Sequence, residues 1–320
     1  MLGNKMIEYK GEIIMKAVIF DKKSSTERLT YCDVEEPVPT DNELLIEIHA
    51  ASINAADYRM MQMGFPPKKN IFGADVSGIV ESVGKNVNAF KPGDHVIGEL
   101  SGCGFGGLAE YVAAPEKAFI IKPDEISFED AASFPLAATT ALQALRNKGE
   151  VKKGWQVLII GSSGGVGTYA LQIAKYYDAI VTGVCSSKNE EQNRLLGADY
   201  VIDYNKVNLS QLESRYDLVL GINGNYSLIL CKKLLKRRGR YIMVGGSLQQ
   251  IFKSILFGWM MSFDSKKMSS LAAKSSAEDM KFVINLVLEG KIRPVIDRSF
   301  RLSETADAVR YIKEQHAKEK

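Results

Sequence analysis

The sequence is poor in the residues that mark several classes of protein. Its 320 residues include only 4 cysteines, Cys32, Cys103, Cys185 and Cys231, which form no close pair and no spacing typical of a metal site. A disulfide-stabilised secreted scaffold is therefore excluded, and we expect a reduced, cytoplasmic protein. The formal net charge of +3 shows no large excess of one sign, so the composition predicts no nucleic-acid partner.

Long apolar runs are also missing. The longest, SILFGWMMSF at 254–263, is too short to span a bilayer, so we expect no integral membrane association. What the chain does contain, 46% hydrophobic and 25% charged residues, is the composition of an ordinary globular protein. Its length favours two domains.

The first residues have no clear periodicity before the strand-like run MKAVIF begins at Met15. The tripeptide Lys10-Gly11-Glu12 can be encoded as AAA-GGA-GAA, which resembles a bacterial ribosome-binding sequence a short distance before the codon for Met15. We therefore expect natural translation to start at Met15, and residues 1–14 to be a disordered extension.

Two parts with different patterns follow. Residues 15–122 contain short alternating or apolar runs separated by Gly, Pro, Asn and Asp, which predicts a partly closed antiparallel β-barrel. From 123, strand-like and helix-like segments alternate, which predicts βαβ units and a doubly wound parallel sheet. Two capped helices come last. We expect residues 276–320 to return to the barrel domain, which leaves 123–275 as the second domain.

The stretch IIGSSGGVGTYALQIAK consists of a strand, a turn of small residues and a helix. Gly161, Gly164 and Gly165 tolerate positive φ and have no Cβ to keep an anion from the backbone. Gly167 allows close packing of the helix on the strand. A pyrophosphate at this helix N-terminus would meet free N–H groups and the positive end of the helix dipole. Because the pattern lies in a βαβ context, we interpret it as a dinucleotide site and not as a plain turn.

The end of the second strand indicates which dinucleotide binds. An NAD-specific site places Asp or Glu about 20 residues further on, where it binds the ribose 2′-OH. Here VTGVCSSKN offers Ser186, Ser187 and Lys188, with no carboxylate before Glu190. Two hydroxyls and an ammonium suit a 2′-phosphate, so we predict NADPH. An ordinary helix start with an exposed lysine is the alternative interpretation.

After Met15 the chain contains several longer motifs, in this order: HAASINAADYRM, GADVSGIVESVGKNV, FPLAATTALQAL, IGSSGGVG, LLGADYVIDY and RGRYIMVGG. With these motifs the chain resembles the zinc-free medium-chain dehydrogenase/reductases of the quinone oxidoreductase type, including bacterial alcohol dehydrogenase-like and reticulon-4-interacting-like proteins. The resemblance implies an α/β fold with a chaperonin-10-like β-barrel domain and a Rossmann domain. It also implies an active site in the cleft between them, with hydride transfer from the nicotinamide to a quinone, enone or carbonyl.

The resemblance further implies the site residues. Asn54 would lie near the nicotinamide ribose and Thr140 under the ring, and the candidate catalytic residues are Asn54 and Tyr58. For Tyr58, packing at a helix start is an equally good interpretation. The other cofactor-binding positions are Gly164, Gly165 and Val166 at the pyrophosphate, Ser186, Lys188 and Tyr204 at the adenosine phosphate, and Gly221, Ile222, Gly245 and Gly246 at the nicotinamide.

Many proteins that resemble this family are zinc alcohol dehydrogenases. Asn54 aligns with their cysteine ligand and Ala74 with their histidine, and no cluster of four cysteines is present for a structural zinc. We therefore expect no metal. Without a Lewis acid, a conjugated acceptor is the less demanding substrate, because its carbon is already electrophilic. Hydrogen-bond donors from Tyr58, Asn54 and the amides of 101–107 would meet the developing charge.

The apolar stretch IFKSILFGWMMSF at 251–263 has two interpretations, a lid over a lipophilic substrate or a segment buried between domains or subunits, and we favour burial. The run KKMSSLAAK that follows resembles an edge strand. Pairing of that edge across a two-fold axis predicts a homodimer.

The leading hypothesis is an NADPH-dependent, zinc-independent reductase of quinones or α,β-unsaturated carbonyls, acting by direct hydride transfer. Two alternatives stay open: a reductase of simple aldehydes or ketones, and an NADPH-binding protein with little turnover. The sequence does not name the acceptor, since the shape of the cleft and not a motif selects it.

Overall fold

The computed structural model describes residues 13–22, 28–67, 69–223, 226–245 and 265–318. The predictions for Gly246, for 251–263 and for 1–12 concern residues outside these ranges. By its contacts the chain forms two compact units, which are Met1–Ala132 with Arg298–Arg310, and Ser133–Asp297 with Tyr311–Lys320.

The first unit is built from antiparallel strands, as its alternating sequence predicts. A two-stranded sheet pairs β1 (Ile14–Phe20) with β2 (Leu29–Glu35). A five-stranded sheet has the order β6-β3-β4-β5-β7. Its strands are β3 (Glu43–Ser52), β4 (Asp75–Val83), β5 (His95–Glu99), β6 (Tyr111–Pro115) and β7 (Phe119–Ile121).

One end of this sheet collects polar side chains. Strand β3 ends at Ser52 where β4 begins at Asp75, and Asp75 is in turn opposite Glu99 at the end of β5. Directly opposite residues of antiparallel strands point to the same face of the sheet. Helix α1 (Ala55–Met63) begins at this end, with Asn54 as its N-cap.

The second unit contains a six-stranded parallel sheet in the order β10-β9-β8-β11-β12-β13. The strands are β8 (Gln156–Ile160), β9 (Ile180–Cys185), β10 (Tyr200–Asp203), β11 (Tyr216–Gly221), β12 (Leu235–Met243) and β13 (Lys267–Ser270). Strand β13, from the run KKMSS, is at an edge of this sheet. The order is that of a Rossmann fold, so the predicted α/β architecture is confirmed.

Helices precede, connect and follow these strands. Helices α2 (Phe128–Ser133) and α3 (Pro135–Leu142) come before β8, and α4 (Gly165–Tyr176), α5 (Glu190–Leu195) and α6 (Leu228–Leu234) connect strands. Helices α7 (Ala277–Leu288) and α8 (Thr305–Lys318) follow β13. Strand β8 is flanked on both sides in the sheet, and its residues Val157–Ile160 are buried, which explains why it is an unbroken apolar run.

The stretch SFEDAASFPLAATTALQAL forms consecutive helical segments and not one regular helix. Ser127 caps α2 through a hydrogen bond from the backbone N–H of Asp130, as the sequence predicts. Pro135, which has no N–H, starts α3. A π-helical segment, Gln143–Gly149, follows α3 directly. Such segments are rare and cluster at functional sites.

The limits of the two units differ from the predicted domain boundaries. The first boundary moves from 122/123 to 132/133, because Phe128 is held by the first unit. Its carbonyl oxygen accepts from Ser77 Oγ at 2.6 Å, and its ring stacks on His49 at 4.4 Å between centroids. Ile14 lies in β1 opposite Glu35, so this strand begins one residue before Met15.

The returning segment is also shorter than the predicted 276–320. Only Arg298–Arg310 belongs to the first unit, where Leu302 and Val309 pack on its core. Helix α7 belongs to the second unit, since the carboxylate of Asp279 accepts hydrogen bonds from Gln143 and Arg146.

Candidate nicotinamide-nucleotide site

The parallel sheet has one topological switch point. The strand order reverses between β8 and its neighbour β11, because β9 and β10 lie on one side and β11 to β13 on the other. In open α/β sheets, ligands bind at the carboxyl ends of the strands at such a point. The predicted cofactor residues of the second unit that lie within the described ranges and outside α3 follow or end these strands. They are Gly164, Gly165 and Val166 after β8, Ser186 and Lys188 after β9, Tyr204 after β10, Gly221 and Ile222 at the end of β11, and Gly245 after β12.

The glycine-rich turn after β8 is shaped by two of its glycines. Gly161 has φ +85°, a conformation that strongly favours glycine. A Cβ on Gly167 would lie 2.8 Å from Cα of Ser162 and closer still to the carbonyl oxygen of Gly161, so helix α4 packs directly on the turn. Gly164 does not use the positive φ that the sequence allows it, since its φ is −81°.

Gly164 and Gly165 instead leave space. A Cβ on Gly164 would meet nothing nearer than 3.9 Å, and one on Gly165 nothing nearer than 4.0 Å. Gly164 is the N-cap of α4, and no side chain caps the helix. The first N–H groups of a helix have no partner within it, and they carry the positive end of the dipole. An open, uncapped turn of this kind fits a pyrophosphate.

The carboxylate of Asp203, at the end of β10, links this strand by a hydrogen bond to the turn after β9. The hydroxyl of Ser187 donates to Asp203. Asp203 also accepts from the N–H of Asn205 at 2.9 Å and lies 3.3 Å from the ammonium of Lys206. These donors, led by Ser187, hold the pKa of Asp203 below its usual value. The hydroxyl of Ser187, one of the two predicted to face a phosphate, therefore already donates to Asp203.

The hydroxyl of Ser186 is an acceptor in its contact with Asn189. Its Oγ accepts a hydrogen bond from the carboxamide of Asn189 at 3.4 Å. Lys188 is exposed, and Tyr204 is half-buried directly after β10, where its N–H donates to the carbonyl oxygen of Cys185 at 3.1 Å. A hydroxyl, an ammonium and an aromatic ring thus lie at this end of the sheet.

Backbone hydrogen bonds order the turns after β11 and β12. The N–H of Ile222 donates to the carbonyl oxygen of Ile160, and the N–H of Gly245 donates to that of Gly221, at 3.0 and 3.2 Å. Gly221 has no room for a side chain, because a Cβ there would lie 3.0 Å from Cζ of Tyr241 and closer still to its hydroxyl.

Thr140 lies on α3 and is 8% exposed. It follows Ala137 by three residues, so the two share one face of the helix. The Cβ of Ala137 is the nearest atom to a Cβ built on Gly165, at 4.0 Å. The face of α3 that carries Thr140 therefore approaches the N-terminus of α4.

Asn54 lies in the first unit and is held at two points. Its backbone N–H donates to Oδ2 of Asp57 at 2.8 Å, and its side-chain Nδ2 donates to Oδ2 of Asp75 at 3.0 Å. Ser52 Oγ donates to the same oxygen of Asp75 at 3.2 Å. Asp57 and Asp75 are fully buried, whereas Asn54 itself is half-buried.

Asp57 is a buried carboxylic acid whose pKa is raised. Burial raises its pKa to about 6, opposed by the N–H donors of Asn54 and Gly73, and the nearby charge of Glu99 adds to the increase. The Gly73 N–H lies 3.3 Å from Oδ1. Asp57 therefore orients the turn before α1.

Tyr58, the other candidate catalytic residue, is 9% exposed. The guanidinium of Arg59 lies 5.9 Å from the centroid of its ring. This burial agrees with the packing interpretation, and a role in proton transfer stays a prediction.

The residues at the family's zinc position do not fit a tetrahedral zinc. Ala74 has no donor atom, and the amide nitrogen of Asn54 donates to Asp75, where zinc sites use thiolate and imidazole ligands. Within the described ranges, no group of three or more His, Cys, Asp or Glu side chains is arranged to hold a metal ion. The four cysteines are free thiols.

Comparisons with known proteins agree with this fold. Residues 40–124 match the alcohol dehydrogenase GroES-like domain, and residues 196–320 match the zinc-binding dehydrogenase family. The chain is 36% identical over 294 residues to the chloroplast envelope quinone oxidoreductase homolog of Arabidopsis thaliana, an alignment that covers 88% of this chain and 89% of that protein. This chain belongs to the medium-chain dehydrogenase/reductases of the quinone oxidoreductase type.

Two other members of the family are also similar along most of the chain. The NADPH-dependent alkenal/one oxidoreductase of Arabidopsis thaliana is 31% identical, with 95% of this chain and 78% of that protein covered. The solved quinone oxidoreductase from Coxiella burnetii superposes with a TM-score of 0.86 at 31% identity, covering 95% and 97% of the two chains. The prediction of an NAD(P)H-dependent oxidoreductase is thus confirmed. In the part of the chain that is described, no helix is long and apolar enough to cross a membrane.

Proposed function

We propose that this oxidoreductase uses NADPH, needs no zinc, and reduces quinones or α,β-unsaturated carbonyls. The observation that carries the proposal is the alignment of the open glycine turn, the Ser186–Lys188 turn and Tyr204 at successive strand ends beside the switch point. Relatives with similar sequences are named for quinone and for alkenal reduction.

The preference for NADPH rests on the charges after β9 and β10. Ser186 and Lys188 offer a hydroxyl and an ammonium to a 2′-phosphate. Asp203, the carboxylate closest in sequence to Tyr204, is buried and accepts from Ser187 and Asn205, so it is not placed to bind a ribose 2′-OH as an NAD-selecting acid does. Lys206 further offsets its charge.

When bound, the reduced nicotinamide supplies the hydride. The proposed tasks of the chain are to bind the pyrophosphate at Gly164, Gly165 and Val166, and the nicotinamide end at Thr140 and at the turns after β11 and β12, including Gly221, Ile222, Gly245 and Gly246. We assign Asn54 to the nicotinamide ribose. Tyr58 and the amides of 101–107 are the candidate donors for the charge that develops on the acceptor.

The proposed independence from zinc is supported by the donor chemistry at Asn54 and Ala74. Neither residue supplies a soft or imidazole ligand, so polarisation of a simple carbonyl by a metal is not part of the proposal. A quinone or enone needs less activation, because conjugation already makes the accepting carbon electrophilic.

We also propose that the protein is a cytoplasmic homodimer with a small-molecule acceptor as its partner. The dimer is suggested by β13, which is at an edge of the described sheet, because such edges pair readily with another chain. The names of the Arabidopsis relatives place those proteins in the chloroplast, so fractionation of cells that express this gene tests the location. Light scattering on the purified protein tests the dimer, and a monomeric mass at micromolar concentration contradicts it.

The test of the function is the loss of absorbance at 340 nm with NADPH or NADH, with EDTA throughout. The acceptors are 9,10-phenanthrenequinone, an enone and a saturated aldehyde. We expect turnover with the quinone or the enone, faster with NADPH. Turnover of the saturated aldehyde alone supports a simple carbonyl reductase, and NADPH binding without any turnover supports a binding protein.

A further inference from the structure

Asn54 is proposed to bind the nicotinamide ribose, and its carboxamide donates a hydrogen bond to a buried residue of a strand. Nδ2 of Asn54 lies 3.0 Å from Oδ2 of Asp75, the first residue of β4. Asp75 is fully buried, and Asn54 is half-buried. A hydrogen bond in a buried environment of low dielectric constant is stronger than one in water.

The chemistry of this pair fixes which way the carboxamide faces. The NH₂ group of Asn54 is the donor in this contact, so this group and not the carboxamide oxygen faces Asp75. The oxygen Oδ1 is then directed away from Asp75, as an acceptor for a hydroxyl group. A ribose hydroxyl is a donor of this kind.

The backbone of Asn54 is fixed independently. Its N–H donates to the buried carboxylate of Asp57 at 2.8 Å, and the same carboxylate accepts from Gly73 at 3.3 Å. Asp57 thus sets the position of the Cα atom, while Asp75 sets the rotation of the side chain. Two buried acids hold one half-buried amide.

We propose that Asp75 is the positioning residue for Asn54, which turns Oδ1 of the carboxamide toward a ribose hydroxyl of NADPH. This inference rests on the proposed function for the identity of the ligand. The orientation of the amide rests on contacts within the first unit alone. Ser52 provides a matched control, because its hydroxyl donates to the same Oδ2 of Asp75 at 3.2 Å and not to Asn54.

The experiment compares Asp75→Asn, Ser52→Ala, Asn54→Ala and the double variant Asn54→Ala/Asp75→Asn. The first readout is hydrogen exchange of the Asn54 side-chain amide in ¹⁵N-labelled protein, with its signal identified by its loss in Asn54→Ala. The second is the Kd for NADPH from quenching of protein fluorescence. Urea unfolding checks that each variant is folded, and Asp75→Ser replaces Asp75→Asn if the latter does not fold.

We expect Asp75→Asn to speed exchange of the Asn54 amide by about tenfold, because the variant replaces a carboxyl acceptor with an amide that has only one acceptor oxygen. It should weaken NADPH binding by about tenfold, whereas Ser52→Ala changes both values by less than about twofold. In the Asn54→Ala background, the Asp75→Asn change should have no further effect on the Kd, because residues that act through one contact are not additive.

An unchanged exchange rate in Asp75→Asn overturns the inference. So does faster exchange with an unchanged Kd, or an equal loss of NADPH affinity in the presence and absence of Asn54. Failure of the wild-type protein to bind NADPH contradicts the proposed function and the ligand named here, while the exchange rates still test the Asp75–Asn54 relationship separately.

Discussion

The hydroxyl of Ser187 donates to the buried carboxylate of Asp203, 16 residues further along the chain. This contact links the turn after β9 to the end of β10. It also gives the adjacent residues Ser186 and Ser187 different roles. Ser187 stabilises the carboxylate, and we propose that Ser186 donates its hydroxyl proton to a ligand.

Replacement of the two serines should therefore have unequal effects. We expect Ser186→Ala to raise the KM for NADPH by about threefold to tenfold, the cost of one hydrogen bond to a charged group. Ser187→Ala should change it by less than about twofold, because its hydroxyl already has Asp203 as acceptor. Initial-rate kinetics with NADPH measure both values. Equal effects of the two substitutions contradict the assignment.

Lys188 should account for most of the discrimination between the two cofactors. We expect Lys188→Ala to raise the KM for NADPH by about tenfold to a hundredfold, through loss of a charge-assisted contact to the 2′-phosphate. The KM for NADH should stay the same. Lys153→Ala is the control, since Lys153 is an exposed lysine that pairs with Asp178 on the surface. A parallel loss for NADPH and NADH would place the phosphate elsewhere.

Substitution of Gly164 and of Gly167 should have different effects, the first on NADPH binding and the second on stability. Alanine at 164 has space and an ordinary φ of −81°, so Gly164→Ala should unfold at the same urea concentration as wild type but bind NADPH more weakly. Gly167→Ala places a Cβ 2.8 Å from Ser162 Cα and should lower the free energy of unfolding by about 1–3 kcal/mol. Urea titrations and NADPH fluorescence distinguish the two. Full NADPH affinity in Gly164→Ala contradicts pyrophosphate binding at this turn.

Asp57 predicts a dependence of stability on pH. Burial raises its folded-state pKa from 3.8 to about 6, so between these values the folded protein binds more protons than the unfolded chain. Stability from this group is therefore present below pH 3.8 and is lost as the pH rises through 6, by about 3 kcal/mol in total.

The comparison with Asp57→Asn isolates this contribution, because all other groups titrate in both proteins. We expect the free energy of unfolding of wild type, relative to that of the variant, to fall between pH 4.5 and pH 7. Urea unfolding at the two pH values measures the difference. A relative stability that is constant or rises with pH contradicts a raised pKa for Asp57.

The strand ends that carry the proposed cofactor residues could be predicted because they depend on local signals. Each βα unit has an apolar strand, a polar or glycine-rich end and a helix, so Gly164 lies in the turn after β8 and Ser186 directly follows β9. The interruption of the helix before Pro135 also has a visible cause, since proline cannot donate to the preceding turn.

The contacts that orient the site are not visible in the sequence. Asp75 and Asn54 are 21 residues apart, and Asp203 and Ser187 are 16 apart, so only strand pairing and side-chain burial bring them together. The return of the chain to the first unit was predicted over 276–320 and occurs over Arg298–Arg310, because amphipathic helices such as α7 do not reveal which sheet they pack on.

Direct hydride transfer from NADPH is the central claim, and isotope transfer tests it most directly. The measurement is mass spectrometry of an enone product formed with [4R-²H]NADPH or [4S-²H]NADPH in ordinary water with EDTA. The account predicts one deuterium at the β-carbon of the product from one of the two cofactors, and none from the other. A product without deuterium in both reactions would contradict direct hydride transfer.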